Sequence, residues 1–478
     1  MAVTAALFGG LSLVIWSVLA RRARRYRAAF QTPARRDDWV VCREAPDPHV
    51  VSLDDTGFDV PPAVAGRRKT VFLRLAVKPT LRGRWFDPFI TITAEGVAYR
   101  QHFERGANGF RYLNLSPIFQ AKGDRGKRIR LAGWGLRWRP GGSLVVFDSP
   151  EIPNDGLLVL APHPDDAEIG AFGAYSTNRS WVVTITSGER GGADLSAAVP
   201  KGPAETAMRA KLRVWDSLSI PQLGGVPADR CLNFVYPDGQ LRNMFQDPLR
   251  SRQIGCEPKL SRRALRSTNA LPKYRAADSD CIWEGLVRDI RELLDETRPA
   301  AVFCPHPVLD AHPDHLFTTV ALEQALRDAP WRDTVVVFLY TTFIREAGLY
   351  PFGPADSVTS LPPLTGADWI ADSIYSHPLA PEAREAKYFA VEAAHDLRTY
   401  SRKGPPTASE VIRDTKRLVS NFLAGMGSDP LAFERRAPRP NEIYYVVSPH
   451  SLSLLVDRAL KIDRTPSTEP RAREAPST

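Results

Sequence analysis

Two patterns of apolar residues follow one another along this chain. The first consists of short runs that alternate apolar and polar positions between turn-forming glycine, asparagine and proline: residues 69–79, 89–93, 110–113, 129–132 and 144–147. Short strands at this spacing, without helical periodicity, predict a β-sandwich. This region contains Trp85, Trp134 and Trp138. Tryptophans in a sandwich either pack in the core or form a platform for a sugar.

From about residue 155 onwards, strand-like apolar runs alternate with helical patterns. The predicted strands are residues 157–160, 181–186, 301–303 and 335–340. Apolar residues at the spacing of Ile282, Leu286 and Ile290 predict a helix before the third and fourth strands. This alternation predicts an α/β fold, a Rossmann-like, mostly parallel sheet with helices on both faces. Such sheets bind ligands at the carboxyl ends of their strands.

The chain begins with an apolar run that is followed by positive charge. Residues 3–20 are apolar over about 18 positions, just enough to span a bilayer, and residues 21–27 contain five arginines. Basic residues beside a span stay on the cytoplasmic side. The pattern therefore predicts a single-pass membrane helix with the rest of the chain in the cytoplasm, at the inner membrane if the source is bacterial. A buried core helix or a wrongly assigned start is the alternative.

Charge and cysteines refine this outline. The 478 residues carry a formal net charge of +9, and their number suggests two or three domains. Residues 250–275 contain eight basic side chains and one acidic side chain, which form either a plain surface loop or a site for phosphates and anionic lipid headgroups. No nucleic acid is expected, because no recognised binding motif accompanies the charge. The five scattered cysteines include no CxxC pair, which favours reduced thiols.

Two short motifs carry the candidate chemistry. His-Pro-Asp-Asp occupies residues 163–166, and His-Pro-Asp-His occupies residues 312–315. Each follows a predicted strand, so both are expected at the carboxyl ends of strands. Zinc in hydrolases takes three nitrogen or oxygen ligands and keeps one position open for water. The two motifs can supply these ligands and a base as well.

The motifs, in their context, resemble a known family. Ala-Pro-His-Pro-Asp-Asp-Ala-Glu-Ile-Gly at residues 161–170, joined with the later His-Pro-Asp-His, resembles the PIG-L/LmbE-like zinc-dependent deacetylases. Thr-Ser-Gly-Glu at 186–189 and Tyr-Pro-Asp-Gly at 236–239 follow in the family's order. The resemblance covers roughly residues 155–345, with a weaker echo at 387–395. It implies removal of an acetyl group from an N-acetylglucosamine unit of a glycolipid or of a thiol-sugar conjugate.

The resemblance also assigns roles to individual residues. It implies that His163, Asp166 and His315 hold Zn²⁺ and that Asp165 is the general base for water. His312 would stabilise the oxyanion or protonate the leaving amine. A metal that lowers the pKa of water beside a carboxylate explains such an arrangement physically. Fe²⁺ or another divalent metal is the alternative, because His/Asp sites accept several.

Further candidates lie around this centre. Asp314 stands between the two histidines of its motif and could orient His312. The candidate substrate-binding residues are Glu189, Asp238, Arg262 and Arg263. The chain departs from the family pattern at Ala167, where an acidic residue is commonest, with Glu168 next to it. The helix after Glu205 does not align with the family's Arg/Glu pattern, so no residue is carried over there.

We therefore predict four segments. Residues 1–30 form a transmembrane anchor and basic juxtamembrane segment, 31–150 a β-sandwich, 151–462 a deacetylase domain with a basic insertion near 245–276, and 463–478 a disordered tail. The predicted function is zinc-dependent removal of the N-acetyl group from an amino sugar, either lipid-linked or phosphate-bearing, in surface polysaccharide or lipopolysaccharide synthesis. The alternatives are an amidase acting on another small amide, such as a thiol-sugar conjugate, and a non-catalytic membrane-anchored protein that binds glycans or anionic lipids.

Overall fold

The computed structural model describes residues 30–464, together with Ser17, Ala20 and Tyr26, apart from several gaps. The gaps are residues 44–46, 65–68, 95, 122–127, 192–194, 196–198, 256–259, 276–279, 345–346, 367 and 398–435. Within the described part of the chain, no helix is both long and apolar enough to cross a membrane. The predicted anchor at residues 3–20 lies outside this part except for Ser17 and Ala20, and so does the tail beyond residue 464.

The N-terminal region consists of eight strands and two short α-helices among its described residues. The strands are β1 (His49–Val51), β2 (Gly57–Asp59), β3 (Lys69–Pro79), β4 (Phe89–Ala94), β5 (Val97–His102), β6 (Gly109–Asn114), β7 (Arg128–Trp134) and β8 (Leu136–Asp148), and the helices are α1 (Leu81–Trp85) and α2 (Ser116–Gln120). They form two four-stranded antiparallel sheets, in the orders β1-β8-β3-β6 and β2-β7-β4-β5. Leu73 and Leu75 of β3 share one core with Ile90 and Ile92 of β4, so the two sheets pack face to face as a sandwich.

The second region alternates strands and helices. Its strands are β9 (Asp155–Ala161), β10 (Arg179–Thr186), β11 (Cys231–Tyr236), β12 (Ala301–Pro305), β13 (Val336–Tyr340), β14 (Ser373–Pro378) and β15 (Asn441–Val447). Its α-helices are α3 (Asp166–Gly170), α4 (Phe172–Ser176), α5 (Pro203–Ser219), α6 (Leu241–Gln246), α7 (Arg262–Arg266), α8 (Trp283–Thr297), α9 (Pro313–Leu326), α10 (Pro381–Ala393) and α11 (Pro449–Arg464). Short 3₁₀ turns occur at Pro62–Val64, Ile220–Gly224, Ala228–Arg230, Pro272–Tyr274 and Arg332–Thr334.

The seven strands of this region form one sheet in the order β11-β10-β9-β12-β13-β15-β14. The first five are parallel, whereas β15 is antiparallel to both of its neighbours. The chain runs outward from β9 to β11 and then returns to place β12 beside β9. The strand order therefore reverses between β9 and β12, which is where open α/β sheets bind ligands.

Strand β9 shows why the sheet carries helices on both faces. Leu158 and Leu160 belong to a core that includes Leu286 of α8, whereas Leu157 and Val159 belong to a core formed with α4 and α10. A strand buried on both faces needs a continuous apolar run rather than an alternating one. The mixed α/β fold follows from this pattern.

The sandwich packs against β14, the edge strand of the α/β sheet. The backbone N–H of Ser376 donates to Thr70 Oγ1 at 3.1 Å, and Asn114 Nδ2 donates to Ser376 Oγ at 3.0 Å. Gln120 Nε2 donates to the Ser376 carbonyl at 2.7 Å. These hydrogen bonds occupy polar groups that an edge strand would otherwise leave open, so they join the two regions of the molecule.

Candidate metal centre

The first motif forms a tight turn between β9 and α3. Asp165 has a φ of +126°, a conformation that residues other than glycine rarely adopt. The turn brings Asp166 back towards the start of the motif, where its Oδ2 accepts a hydrogen bond from the backbone N–H of His163 at 2.9 Å. Neighbouring carboxylates in the sequence thereby face different partners.

The three predicted metal ligands converge. Nδ1 of His163 lies 3.1 Å from Oδ2 of Asp166 and 3.3 Å from Nε2 of His315, and that Nε2 lies 3.1 Å from the same Oδ2. In a tetrahedral zinc site with bonds of about 2.0–2.1 Å, ligand atoms lie roughly 3.3 Å apart. All three side chains are buried. The spacing of these three atoms therefore fits a small divalent cation bound to all of them.

The second ring nitrogen of His163, and likewise that of His315, lies close to a carboxylate. Nε2 of His163 lies 3.2 Å from Oδ1 of Asp238 and 3.3 Å from Oδ2 of Asp314. Nδ1 of His315 lies 3.1 Å from Oδ1 of Asp310. Histidines that bind metals commonly donate their other N–H to a carboxylate, which fixes tautomer and ring orientation. The arrangement assigns one nitrogen of each ring to the cation and the other to a carboxylate.

Sequence reasoning missed Asp310. Its Oδ2 accepts hydrogen bonds from the backbone N–H groups of Thr342 and Phe343 at 2.9 and 3.2 Å. Its Oδ1 accepts one from the backbone N–H of His312 at 3.1 Å. The loop after β13 thus holds this carboxylate against His315. The nearest sequence signal was its position five residues before that histidine, which by itself indicates nothing.

Buried negative charge dominates the centre. Burial alone would lower the pKa of His163, but the adjacent carboxylates, with Asp238 first, hold it well above its usual value. The pKa of His315 rises to about 9, because Asp166 and Asp310 outweigh the effect of burial. The excess carboxylates therefore favour protons on both rings. A divalent cation would replace those protons, which is the usual linkage of metal binding to proton release.

The predicted base, Asp165, is held from the side by an arginine. Nη2 of Arg213 lies 3.4 Å from Oδ2 of Asp165 and 2.7 Å from Oδ2 of Asp396. The guanidinium also donates to the carbonyls of Pro164 at 2.7 Å and Gly188 at 3.1 Å. Burial, followed by the charge of Asp396, raises the pKa of Asp165 well above its ordinary value. A carboxylate whose pKa is raised towards neutrality is a better proton acceptor.

Residues 387–395, which weakly resemble the family, contact elements that surround the centre. Nζ of Lys387 donates to the carbonyl of Ile169 at 2.8 Å and contacts Glu442 at 2.6 Å, which ties α10 to α3. Nδ1 of His395 lies 2.7 Å from Oδ1 of Asp216 on α5. The same helix α5 carries Arg213, a residue that the family pattern did not reveal. The first contact holds α3, which begins at the first motif, and the second holds α5, which carries Arg213.

His312 caps the N-terminus of α9. Its Nδ1 accepts a hydrogen bond from the backbone N–H of Asp314 at 3.2 Å, so a neutral ring carries its proton on Nε2. The ring centroid lies 4.6 Å from that of His163 and 4.9 Å from that of His315. The Asp314 carboxylate accepts from the N–H of Gly239 at 2.6 Å and faces His163. The prediction that Asp314 orients His312 is thus corrected: its backbone does so, and its carboxylate orients His163.

Two predicted substrate contacts on the loops after β10 and β11 are buried. Glu189 accepts hydrogen bonds from Ser187 Oγ at 2.6 Å and from the N–H groups of Asp238 and Gly255 at 3.1 and 3.2 Å. Glu189 therefore stabilises the neighbouring loop and does not line an open surface. Asp238 faces His163 instead of solvent. Burial would raise the pKa of Asp238, but the charge of His163 lowers it on balance.

Two arginines of the basic insertion pair with an aspartate of α8. Arg262 and Arg266 contact Oδ2 of Asp289 at 3.0 and 2.9 Å, and the Arg262 guanidinium lies 4.0 Å from the ring centroid of Tyr236. Arg262 is therefore a buried structural residue and not a substrate contact, because its charge is used inside the protein. Arg263, on the same helix α7, is exposed.

Part of this chain matches the model of a known protein family. Residues 158–326 match the model of the PIG-L family, described as GlcNAc-PI de-N-acetylase. Among solved structures, GalB, the 4-carboxy-2-hydroxymuconate hydratase from Pseudomonas putida KT2440, is 13% identical, with 61% of this chain and 95% of that chain covered at a TM-score of 0.32. A family two carbohydrate esterase from Cellvibrio japonicus is 11% identical, with 64% and 88% covered at a TM-score of 0.15. No curated protein matches the chain in sequence.

The family match spans both motifs and every residue from β9 to α9 that builds the centre, Asp165, Asp166, Asp238 and Asp310 among them. It confirms the resemblance that the motifs indicated and supports a hydrolase. Two further groupings around His163 could also hold a metal ion, one with His312 and His315 and one with Asp238 and Asp314. Over residues 158–326, this chain therefore resembles the PIG-L family.

Proposed function

We propose that this protein is a zinc-dependent N-deacetylase that acts on an N-acetylated amino sugar. The observation that carries the proposal is the triangle formed by His163 Nδ1, Asp166 Oδ2 and His315 Nε2, with edges of 3.1–3.3 Å. The description of the matching family supports the N-acetyl group as the target. Zinc is preferred because three nitrogen and oxygen ligands with one open position are typical of its hydrolytic sites; Fe²⁺ is the alternative.

The side chains around the triangle divide the chemistry among them. When bound, a divalent cation acidifies a water molecule and polarises the acyl carbonyl. Asp165 accepts the proton of the attacking water at its carboxylate. Arg213 keeps that carboxylate in place through contacts to both the motif and Asp396. Nε2 of His312, which carries the proton of the neutral ring, donates a hydrogen bond to the acyl oxygen, and the departing amine takes up the proton that Asp165 accepted.

We further propose that the amino sugar is lipid-linked or phosphate-bearing, as in the synthesis of a surface polysaccharide or lipopolysaccharide. The apolar run at residues 3–20 and the five arginines that follow support a substrate at the cytoplasmic face of a membrane. The basic insertion supports it less than the sequence suggested, because Arg262 and Arg266 bind Asp289.

Two alternatives keep the same geometry. An amidase acting on a thiol-sugar conjugate would use the same centre on a substrate without a lipid. A non-catalytic protein that binds glycans or anionic lipids would need neither the base nor the cation. The complete set of ligands, base and orienting carboxylates argues against the second alternative, because a binding protein has no use for it.

Acetate release from N-acetylglucosaminyl lipid diphosphate tests the proposal. Zinc-loaded wild type is compared with Asp165→Ala, and the metal content of both samples is measured. Zinc-dependent release by the wild type and its loss in a variant that still holds zinc are expected. Release only from a soluble N-acetylglucosamine conjugate would replace the substrate and keep the reaction. A wild type that binds no divalent metal would refute the proposed function.

A further inference from the structure

Helix α1 and the end of strand β7 carry an exposed patch of apolar and basic side chains. We call it the α1 surface, and it consists of Leu81, Arg82, Arg84, Trp85 and Trp134. Leu81 is 74% exposed and Trp85 54% exposed, and both arginines are exposed as well. The ring of Trp134 stacks on Phe89 at a centroid distance of 5.5 Å, which fixes it at the surface. Exposed apolar side chains that cluster in this way mark interaction sites.

Contacts fix the N-terminal segment beside the α1 surface. The hydroxyl of Tyr26 accepts a hydrogen bond from the backbone N–H of Arg105 at 2.6 Å, and the Arg105 guanidinium lies 4.7 Å from the Tyr26 ring centroid. Arg105 also pairs with Asp87 at 2.6 Å, two residues after α1. The N–H of Gly106 donates to the carbonyl of Gly83 within α1 at 2.8 Å. Tyr26 therefore lies next to α1.

The same N-terminal segment contacts the loop that leads to the metal centre. Phe30 forms a backbone bridge with Ala347, and its ring centroid lies 5.5 Å from that of Phe352. Ala347 follows Phe343 by four residues, and the N–H of Phe343 donates to Asp310 at 3.2 Å. Since a chain spans at most about 3.6 Å per residue, Ala347 lies within about 15 Å of Phe343. The segment after the predicted anchor is thus close to the carboxylate that orients a metal ligand.

The sequence before Tyr26 indicates what the α1 surface would meet. Residues 3–20 are apolar, and five arginines occupy residues 21–27. Tryptophan side chains favour the membrane–water interface, and arginines near an anionic leaflet gain about 1 kcal/mol each. A sugar platform would use Trp85 and Trp134 but has no need of Leu81 beside two arginines. The composition of the surface therefore favours a bilayer.

We propose that the α1 surface contacts an anionic bilayer and holds the metal centre beside it. The headgroup of a membrane-borne substrate can then reach His163 and His315 while its apolar tail stays among the lipids. The contact is separate from the proposed deacetylation and is measured without turnover. Failure of one therefore leaves the other standing.

A polarity-sensitive fluorophore on Leu81→Cys tests the contact in the full chain, reconstituted in vesicles of phosphatidylcholine and phosphatidylglycerol. Leu249→Cys is the matched control, because Leu249 is 72% exposed and lies in the loop after α6. Cys42, Cys231, Cys281 and Cys304 are buried, and the labelled wild type measures any background, including that from Cys256. We expect a blue shift and quenching by brominated acyl chains at position 81 only. Arg82→Ala with Arg84→Ala should weaken the contact roughly fivefold for each arginine removed.

Three results would overturn the proposal. The label at position 81 could behave like that at position 249 although the chain floats with the vesicles. The chain could fail to float with these vesicles. A soluble N-acetylglucosamine oligomer could produce the blue shift without vesicles, which would identify the surface as a sugar platform. The circular dichroism spectrum of each variant, compared with wild type, verifies that it is folded.

Discussion

Among the described residues, one group of buried charged side chains in the sandwich contrasts with another at the end of strand β9. The sandwich group contains two cations and two anions, Arg36, Arg111, Asp38 and Glu104. Glu104 Oε1 lies 2.8 Å from Arg36 and 2.6 Å from Arg111, and Arg36 lies 2.8 Å from Asp38. The guanidinium of Arg111 also donates to three backbone carbonyls. Each charged side chain in this group therefore has a partner of opposite charge within the chain.

The group at the end of β9 contains more carboxylates than cationic side chains. Its carboxylates include Asp165, Asp166, Asp238, Asp310 and Asp314. Arg213 contacts Asp165 among them, and it also pairs with a further carboxylate, Asp396. Buried charge is costly unless it is paired, so such an excess is expected where a protein holds a cation. The comparison teaches that charge balance, rather than burial, separates a structural cluster from a candidate site. The four predictions below test that distinction.

The largest effect is expected for Asp165→Asn. Loss of the proton acceptor should lower kcat for acetate release by about 10²–10⁴-fold, while the zinc content stays at the wild-type level because Asp165 is not a ligand. Asp38→Asn is the control from the balanced group and should leave kcat unchanged. Equal losses of activity in the two variants would erase the distinction between the groups.

In the balanced group, Arg111→Met should affect stability instead of activity. The change leaves Glu104 with one partner fewer in a buried place, and breaking a buried ion pair costs about 3–5 kcal/mol. Denaturant unfolding measures the free energy of unfolding, and kcat per folded molecule is measured in parallel. Arg111→Met combined with Glu104→Gln removes one charge of each sign and should cost less. A double variant that is less stable than the single one would contradict this account.

The pH dependence of stability examines Asp38 in the same group. Burial raises its pKa to about 6, although Arg111 and Arg36 oppose the change. A carboxyl group that binds its proton more tightly when folded contributes stability below its unfolded pKa near 4 and loses it as the pH rises through about 6. The free energy of unfolding should therefore fall by at most about 3 kcal/mol over this range. Asp38→Asn should flatten that part of the curve; an unchanged slope would contradict the prediction.

The smallest effect is expected for Asp310→Asn. The amide keeps the shape but not the charge that faces Nδ1 of His315, and loss of such a partner usually weakens metal binding by about 10–100-fold. Competition with a fluorescent zinc chelator measures the affinity. Asp289→Asn, which alters the carboxylate that pairs with Arg262 and Arg266, is the control. Equal affinities in the Asp310 variant and the wild type would show that this carboxylate only anchors the loop after β13.

Local sequence patterns predict the fold where the burial of each strand agrees with its apolar pattern. The run at residues 69–79 coincides with β3 (Lys69–Pro79), and the apolar run in β9 belongs to a strand buried on both faces. Strand β5 (Val97–His102) was not predicted, because its polar residues Arg100, Gln101 and His102 interrupt the alternation. Its position is set by pairing with β4 rather than by its own composition.

The site was predictable only as far as its motifs reach. His163, Asp166 and His315 lie in the motifs, and the structure brings them together. Asp396 pairs with Arg213 from far along the chain, a contact that no spacing rule reveals. Arg262 was misinterpreted for the opposite reason. Its neighbours in sequence suggested an open cationic loop, whereas the tertiary fold supplies Asp289 as its partner.

The reversal of strand order between β9 and β12 also constrains how the protein matures. Leu157 pairs with Ala301 across that boundary, so a loop of roughly 140 residues must close before the two motifs meet. With the proposed ligands, a metal ion could not nucleate this domain, since His315, one of the three, is still to come when the first motif leaves the ribosome. Metal loading would therefore be a late step that reports on completed folding. A chain arrested before His315 would retain the first motif and hold no metal centre.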